Sequence, residues 1–572
     1  MAPILLPLTL TAALAWLDPA SVRPGQRGVC ITEWTGGERR EIPVEILGVL
    51  DAVGPDRSAV LVRLDDERMA GSGVLAGMSG SPVYVDGKLL GAVAFGWAFA
   101  RDPLAGVTPF ATMHGIVPSA AAPDAPAPTL SQLAALAAGK LQPLAVLPKL
   151  PPREGQGPQL VAVGGLPLAG GFPGELLGAM GLLAVPAGMG EAANGTPEGG
   201  DMMAVLLVWG DATLAAGGTV TTREGNRVWA FGHPLFALGK VWMPVARARV
   251  LAVQGSYQSP FKLFSVGTSF GALVADRPAG VLALVGEQAA GTPVTVTVRE
   301  PAGAVTWHFR VAEMPILQPL LVTYLASASL TARGALVGEA SVRLALTARL
   351  SDGREVTVRQ ATRGIDALAR LSSFAGGVVS LLANSPFPHP PVSMVEAVFD
   401  RDEEPRGATI VEVVPARTLV TPGEELPVTV RLHPYRAAPE ERRLVIRVPL
   451  SAVPGPLDLV VADGASWSEY RLRAEAVAPA DFADQLAQVV QLEGSTTLVV
   501  ALEARERGVG LPGASEPGVP PSWSVTLTSG LGARALSRIA TNVVAADRLF
   551  GTFPLEGSVR ATLTVRERPE VP

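Results

Sequence analysis

Short apolar runs, many alternating with polar positions and separated by glycine- and proline-containing turns, fill most of the chain, which therefore reads as mainly β. Within residues 26–116, the stretches 41–50 (EIPVEILGVL) and 58–64 (SAVLVRL) predict strands. Residues 77–85 and 88–95 flank Asp86-Gly87, a strong hairpin signal. Residues 117–158 change character: Pro/Ala-rich and Pro-rich stretches predict an extended linker around one short helix at 130–140. Strand patterns return over 159–315, with a hairpin formed by 218–222, the turn 224–226 and 227–231. Residues 316–393 mix helical stretches (316–330, 362–384) with a hairpin around Asp352-Gly353. The segment 394–470 has the strand, Pro-Gly turn and alternating strand of an immunoglobulin-like β domain. A last β-rich domain, 471–572, carries one helical pattern at 480–492.

With 572 residues the chain is several domains long, and 48% apolar against 17% charged residues excludes a disordered chain. The net charge of −6 argues against a nucleic-acid partner, which needs a concentrated basic face. A single cysteine, Cys30, excludes an intramolecular disulfide and a Cys-rich metal site; it reads as a small buried strand residue. The five histidines (114, 233, 308, 389 and 433) include no HxxxH or HExxH spacing, so no metal is expected, and nothing points to an organic cofactor. Residues 4–17 form a 14-residue apolar run containing Ala13-Leu14-Ala15, a small-x-small cleavage pattern. Residues 1–25 thus read as a signal peptide, although no Lys or Arg precedes the run, and export to the periplasm, envelope or exterior of a bacterium is expected. No further run of about 18 apolar residues predicts a transmembrane helix in the mature chain.

The sharpest chemical candidate is Gly77-Met78-Ser79-Gly80-Ser81-Pro82. Glycines around a serine permit the tight turn that exposes its Oγ and lets a substrate backbone approach. A second candidate is His233 in Phe231-Gly232-His233-Pro234, held between a glycine and a proline after an apolar strand. Residues 73–110 (GVLAGMSGSPVYVDGKLLGAVAFGWAFARDPLAGVTPF) resemble the serine segment of the SpoIVB-type serine peptidases, a family with a chymotrypsin-like relation. Residues 217–239 (GGTVTTREGNRVWAFGHPLFALG) resemble that family's histidine segment. The resemblance implies two chymotrypsin-like β-barrel halves, a Ser-bearing one (26–116) and a His-bearing one (159–315), followed by β-sandwich-like C-terminal domains. It makes Ser79 the nucleophile, His233 the general base, and the N–H groups of Gly77 and Ser79 the oxyanion hole. In the family the histidine segment comes first; here Ser79 precedes His233, so the halves read as circularly permuted.

The family's aspartate matches Asp65 when one gap is allowed, with Asp66 next and Asp276 third; without any of them the site is a Ser–His dyad. Lys88 and Lys240 are weaker alternatives as bases, and Ser81 as nucleophile. Trp97 lies near enough to the serine hairpin to line a pocket, although such a residue is more often core. The resulting expectation is an exported serine endopeptidase acting on a protein or peptide. The alternative is a catalytically inactive, peptidase-like binding or scaffold protein of the cell envelope, using its C-terminal β domains to hold an envelope partner.

Overall fold

The computed structural model describes residues 15–567, except 55–56, 70–72, 98–101, 119–124, 152–156, 168–169, 189–192, 257, 333–338, 403, 476–477, 507, 512–513 and 529–536. Six strands, β1 (Arg27–Glu33), β2 (Arg39–Gly54), β3 (Arg57–Leu64), β4 (Pro82–Val85), β5 (Lys88–Gly96) and β6 (Leu104–Pro109), close a barrel in the order β1-β2-β3-β6-β5-β4. The period-two pattern explains its filling: Ile42, Val44 and Ile46 of β2 and Val60, Val62 and Leu64 of β3 point inward and are buried. The β4–β5 hairpin turns on Asp86 and Gly87, both with positive φ (49° and 72°), the geometry the Asp-Gly pair predicts.

The next strands are β7 (Gln159–Gly164), β8 (Leu182–Pro186), β9 (Met202–Gly210), β10 (Thr213–Glu224), β11 (Arg227–Ala230), β12 (Gly239–Gln254), β13 (Phe261–Arg277) and β14 (Gly280–Val285). The pairings β9–β12, β12–β13, β13–β14, β14–β11, β11–β10 and β10–β9 form a ring, so a second six-stranded barrel closes within the larger sheet. Beyond β9 the sheet continues through Gly303–Ala312, Gly291–Glu300, Val392–Asp402, Ala340–Leu350 and Glu355–Gly364. Helices Gln318–Thr331 and Ala367–Ala383 pack into the same core. So does helix Leu130–Ala137, opened by a Thr129–Gln132 capping box. The expected linker 117–158 is therefore not a free spacer: Leu133 and Leu136 of this helix are fully buried.

The two barrels are joined by buried charge. Asp201 accepts from Arg39 Nε at 2.7 Å and pairs with Arg247, while Glu33 accepts from the backbone N–H groups of Met202 and Val250 at 2.8 and 2.7 Å. After residue 407, two sheets share one core that includes Ile410, Val428, Leu459, Val500 and Leu563. Strand Gly455–Asp463 pairs with Thr497–Ala504 and Ser558–Val565, so chain from both sides of the expected boundary at 470 builds a single β-sandwich. Val392–Asp402 belongs instead to the large sheet.

At the N-terminus, residues 1–14 lie outside the described residues. Leu17 N donates to Leu89 O at 2.9 Å and Gly25 N to Ile46 O at 2.8 Å, so the later part of the expected signal peptide 1–25 is built onto the first barrel. No described helix is long and apolar enough to cross a membrane.

Candidate active site

The serine turn joins β3 to β4 and lies against the second barrel. Gly77 and Gly80 adopt φ of +94° and +96°, which only glycine holds without strain. At Gly80 a Cβ would stand 1.8 Å from Thr219 O and 2.5 Å from Phe231 N, so the absence of a side chain lets the turn touch the backbone of β10 and the end of β11. The turn is fixed from inside by Gly80 N donating to Val93 O (2.7 Å) and Ser81 N to Met78 O (2.9 Å). The second barrel fixes it from outside: Thr219 N donates to Ser79 O (2.7 Å), Thr219 Oγ1 to Gly77 O (2.8 Å) and Thr221 Oγ1 to Gly80 O (2.8 Å). Alternation along β10 puts both threonine side chains on one face. Among the described residues, the N–H groups of Gly77 and Ser79 donate to no acceptor.

The histidine turn follows β11. Phe231 (φ +70°) and Gly232 (φ +68°) reverse the chain, and Thr108 Oγ1 from the first barrel donates to Gly232 O at 2.7 Å. His233 is buried, with Nδ1 2.8 Å from Pro234 O. A carbonyl only accepts, so Nδ1 carries the proton in this contact. Asp276 on β13 is fully buried and accepts from three backbone N–H groups of the same turn: Leu235 at 2.7 Å, Phe236 at 2.8 Å and Leu238 at 3.1 Å.

Ser79 and His233, from different barrels, line one cleft of about 140 Å³ together with Leu75, Phe95, Trp97 and Leu160. Ser79 is half-buried, and its hydroxyl forms no hydrogen bond among the described residues. Trp97 stands at the cleft's rim, 47% exposed and edge-on to Phe95.

The acids separate. The Asp65 side chain is 66% exposed and pairs with Arg27 at 3.3 Å on the barrel surface, so the expected triad role finds no support in its placement. The Asp66 side chain is buried against Arg40 at 2.8 Å and accepts from Arg68 N at 2.9 Å. Neither lines the cleft; Asp276 is the acid beside the histidine turn. Ser81 points into the first barrel, fully buried, and donates to Thr32 Oγ1 at 2.8 Å. Lys88 and Lys240 are exposed and outside the cleft. Cys30 is completely buried, and that burial pushes its thiol up to about 12, as an inert strand residue requires. Among the described residues no group of three His, Cys, Asp or Glu side chains could hold a metal.

Sequence reasoning missed Thr108, Thr219 and Thr221. The signal was present in the GTVTT run, whose threonines at alternate positions on a buried strand need hydrogen-bond partners from elsewhere.

No curated protein and no solved structure matches the chain. The histidine segment lies outside the one family match found. Residues 14–113, which hold the whole first barrel and Ser79, match the family described as SpoIVB peptidase S55, and this part of the chain is related to the SpoIVB-type serine peptidases.

Proposed function

We propose that the protein is a serine endopeptidase of the SpoIVB type. The observation that carries the reading is the meeting of Ser79 and His233 from two closed barrels in one cleft. The N–H groups of Gly77 and Ser79 on the same turn, which meet no acceptor among the described residues, support it. Ser79 Oγ attacks the peptide carbonyl while His233 Nε2 takes its proton, and the imidazolium then returns a proton to the leaving amine. Negative charge developing on the carbonyl oxygen is received by the Gly77 and Ser79 N–H groups, which need no reorganisation because Thr219 and Thr221 already fix the carbonyls of this turn. Pro234 O sets the imidazole tautomer, and Asp276 acts as a positioning residue that holds the turn carrying the ring. The apolar segment 4–17 supports export of the enzyme.

The test is hydrolysis of unstructured protein substrates by the wild-type chain, with Ser79→Ala and His233→Ala each lowering kcat/KM by about 10³-fold or more. Full turnover in His233→Ala removes the mechanism. Absence of any turnover in the wild-type chain favours the peptidase-like binding protein.

A further inference from the structure

Lys262, one of five lysines in the chain, is completely buried at the start of β13, directly beneath the serine turn. Its backbone N–H donates to Ala76 O at 3.1 Å, and Ala76 N donates to Pro260 O at 2.8 Å, so the residue preceding Gly77 is paired to β13. Its aliphatic stem packs against Gly77, where a Cβ would lie 3.3 Å from Lys262 Cδ. Its Nζ donates to Thr32 Oγ1 at 2.7 Å, the same oxygen that accepts from Ser81 Oγ at 2.8 Å. One threonine hydroxyl on β1 therefore accepts from Ser81 at one end of the turn and from the β13 lysine packed on Gly77 at the other.

The arrangement is expensive for a purely structural residue. Among the described residues no carboxylate lies within ion-pair distance of Nζ. The charged and titratable groups facing it are Glu33 and Cys30 on β1, with Arg247 of β12 across Glu33. Glu33 is already engaged by Met202 N, Val250 N and Arg247. Burial lowers the lysine from 10.5 to about 8, against the opposing pull of Glu33 and Cys30. A methionine of similar length would fill the space without that cost.

We infer that Lys262 is a positioning residue for the serine turn, holding Gly77 to Ser81 in the conformation that aims the Gly77 and Ser79 N–H groups into the cleft. Its catalytic consequence rests on the peptidase reading; its control of the turn does not. The experiment measures hydrogen exchange at the amides of Gly80 and Ser81, together with peptide turnover, in Lys262→Met and Thr32→Val. Exchange at these two amides should rise about tenfold or more in both variants while the amides of β3 stay unchanged. Turnover, where the wild type has it, should fall about tenfold in kcat with KM within about twofold, and the unfolding temperature of Lys262→Met should not fall. Unchanged exchange at Gly80 and Ser81 overturns the inference, as does exchange that rises equally throughout the first barrel. A wild-type chain without turnover defeats the peptidase reading while the exchange still decides the role of Lys262. Should Lys262→Met fail to fold, Thr32→Val alone decides it.

Discussion

Replacing Asp276 by asparagine keeps the shape of the side chain and removes its charge. In the native turn Oδ1 accepts from Leu235 N, while Oδ2 accepts from Phe236 N and Leu238 N. An amide has one oxygen. Its best orientation puts that oxygen in the Oδ2 position, keeps two bonds and aims the NH₂ group at the Leu235 N–H. The lost bond had a charged acceptor, worth about 1.5–3 kcal/mol, and the two that remain weaken when the acceptor becomes neutral. The local cost is therefore about 3 kcal/mol, and the site is fully buried, so water does not replace the lost acceptor. Local opening is better read by amide exchange than by global melting in a chain of several cores. At Phe236 and Leu238 the exchange in Asp276→Asn should be about 100-fold faster than in wild type, and kcat should fall by a similar order because His233 rides on the same turn. Asp276→Ala, which removes an acceptor from three buried donors, should be worse in both readouts. Wild-type exchange and wild-type kcat in Asp276→Asn would refute the claim that this carboxylate builds the histidine turn.

Other substitutions separate the remaining parts of the account. Gly80→Ala places a methyl group 1.8 Å from a backbone oxygen of the second barrel at a φ of +96°, so turnover should be lost; an active Gly80→Ala enzyme would mean the barrels do not meet as described. Asp65→Asn should keep full turnover and stability within about 0.5 kcal/mol, because its pair with Arg27 is exposed; a large loss of kcat would restore it as the triad acid. Between about pH 8 and 10.5 an unfolded lysine holds a proton that native Lys262 has released, so stability should rise with pH across this window, by about 3 kcal/mol at most. That rise, measured by denaturant unfolding, should be absent from Lys262→Met; an identical pH dependence in the two proteins would contradict the burial of a charged lysine.

Local patterns carried much of the fold. The Asp86-Gly87 turn, the alternation of β2 and β3, and the helix beginning at Leu130 were legible because turn chemistry and side-chain periodicity act over a few residues. The single C-terminal sandwich was not legible, since pairing of 455–463 with 558–565 spans about a hundred residues and leaves no composition break. Helix Gly464–Glu475 was also missed: Trp467 is buried among serines, alanine and glycine, so no apolar stripe marks it. In the site, the glycines around Ser79 and the Gly-His-Pro turn stood out because each requires unusual backbone geometry. Asp276 ranked behind Asp65 because its bonds to the backbone N–H groups of a turn some forty residues earlier leave no mark in the sequence, whereas the family's aspartate matches Asp65 when one gap is allowed.

The central claim is that Ser79 is a nucleophile activated by His233, and a fluorophosphonate probe tests it most directly. The reagent forms a covalent bond only with an activated serine, and peptide mapping locates the adduct. One adduct should form on Ser79 in the wild-type chain and none in Ser79→Ala, labelling should be strongly slowed in His233→Ala, and Ser81→Ala should still be labelled on Ser79, more slowly than wild type because its bond to Thr32 is lost. An adduct on Ser81, or labelling of Ser79 at the wild-type rate in His233→Ala, would contradict the claim.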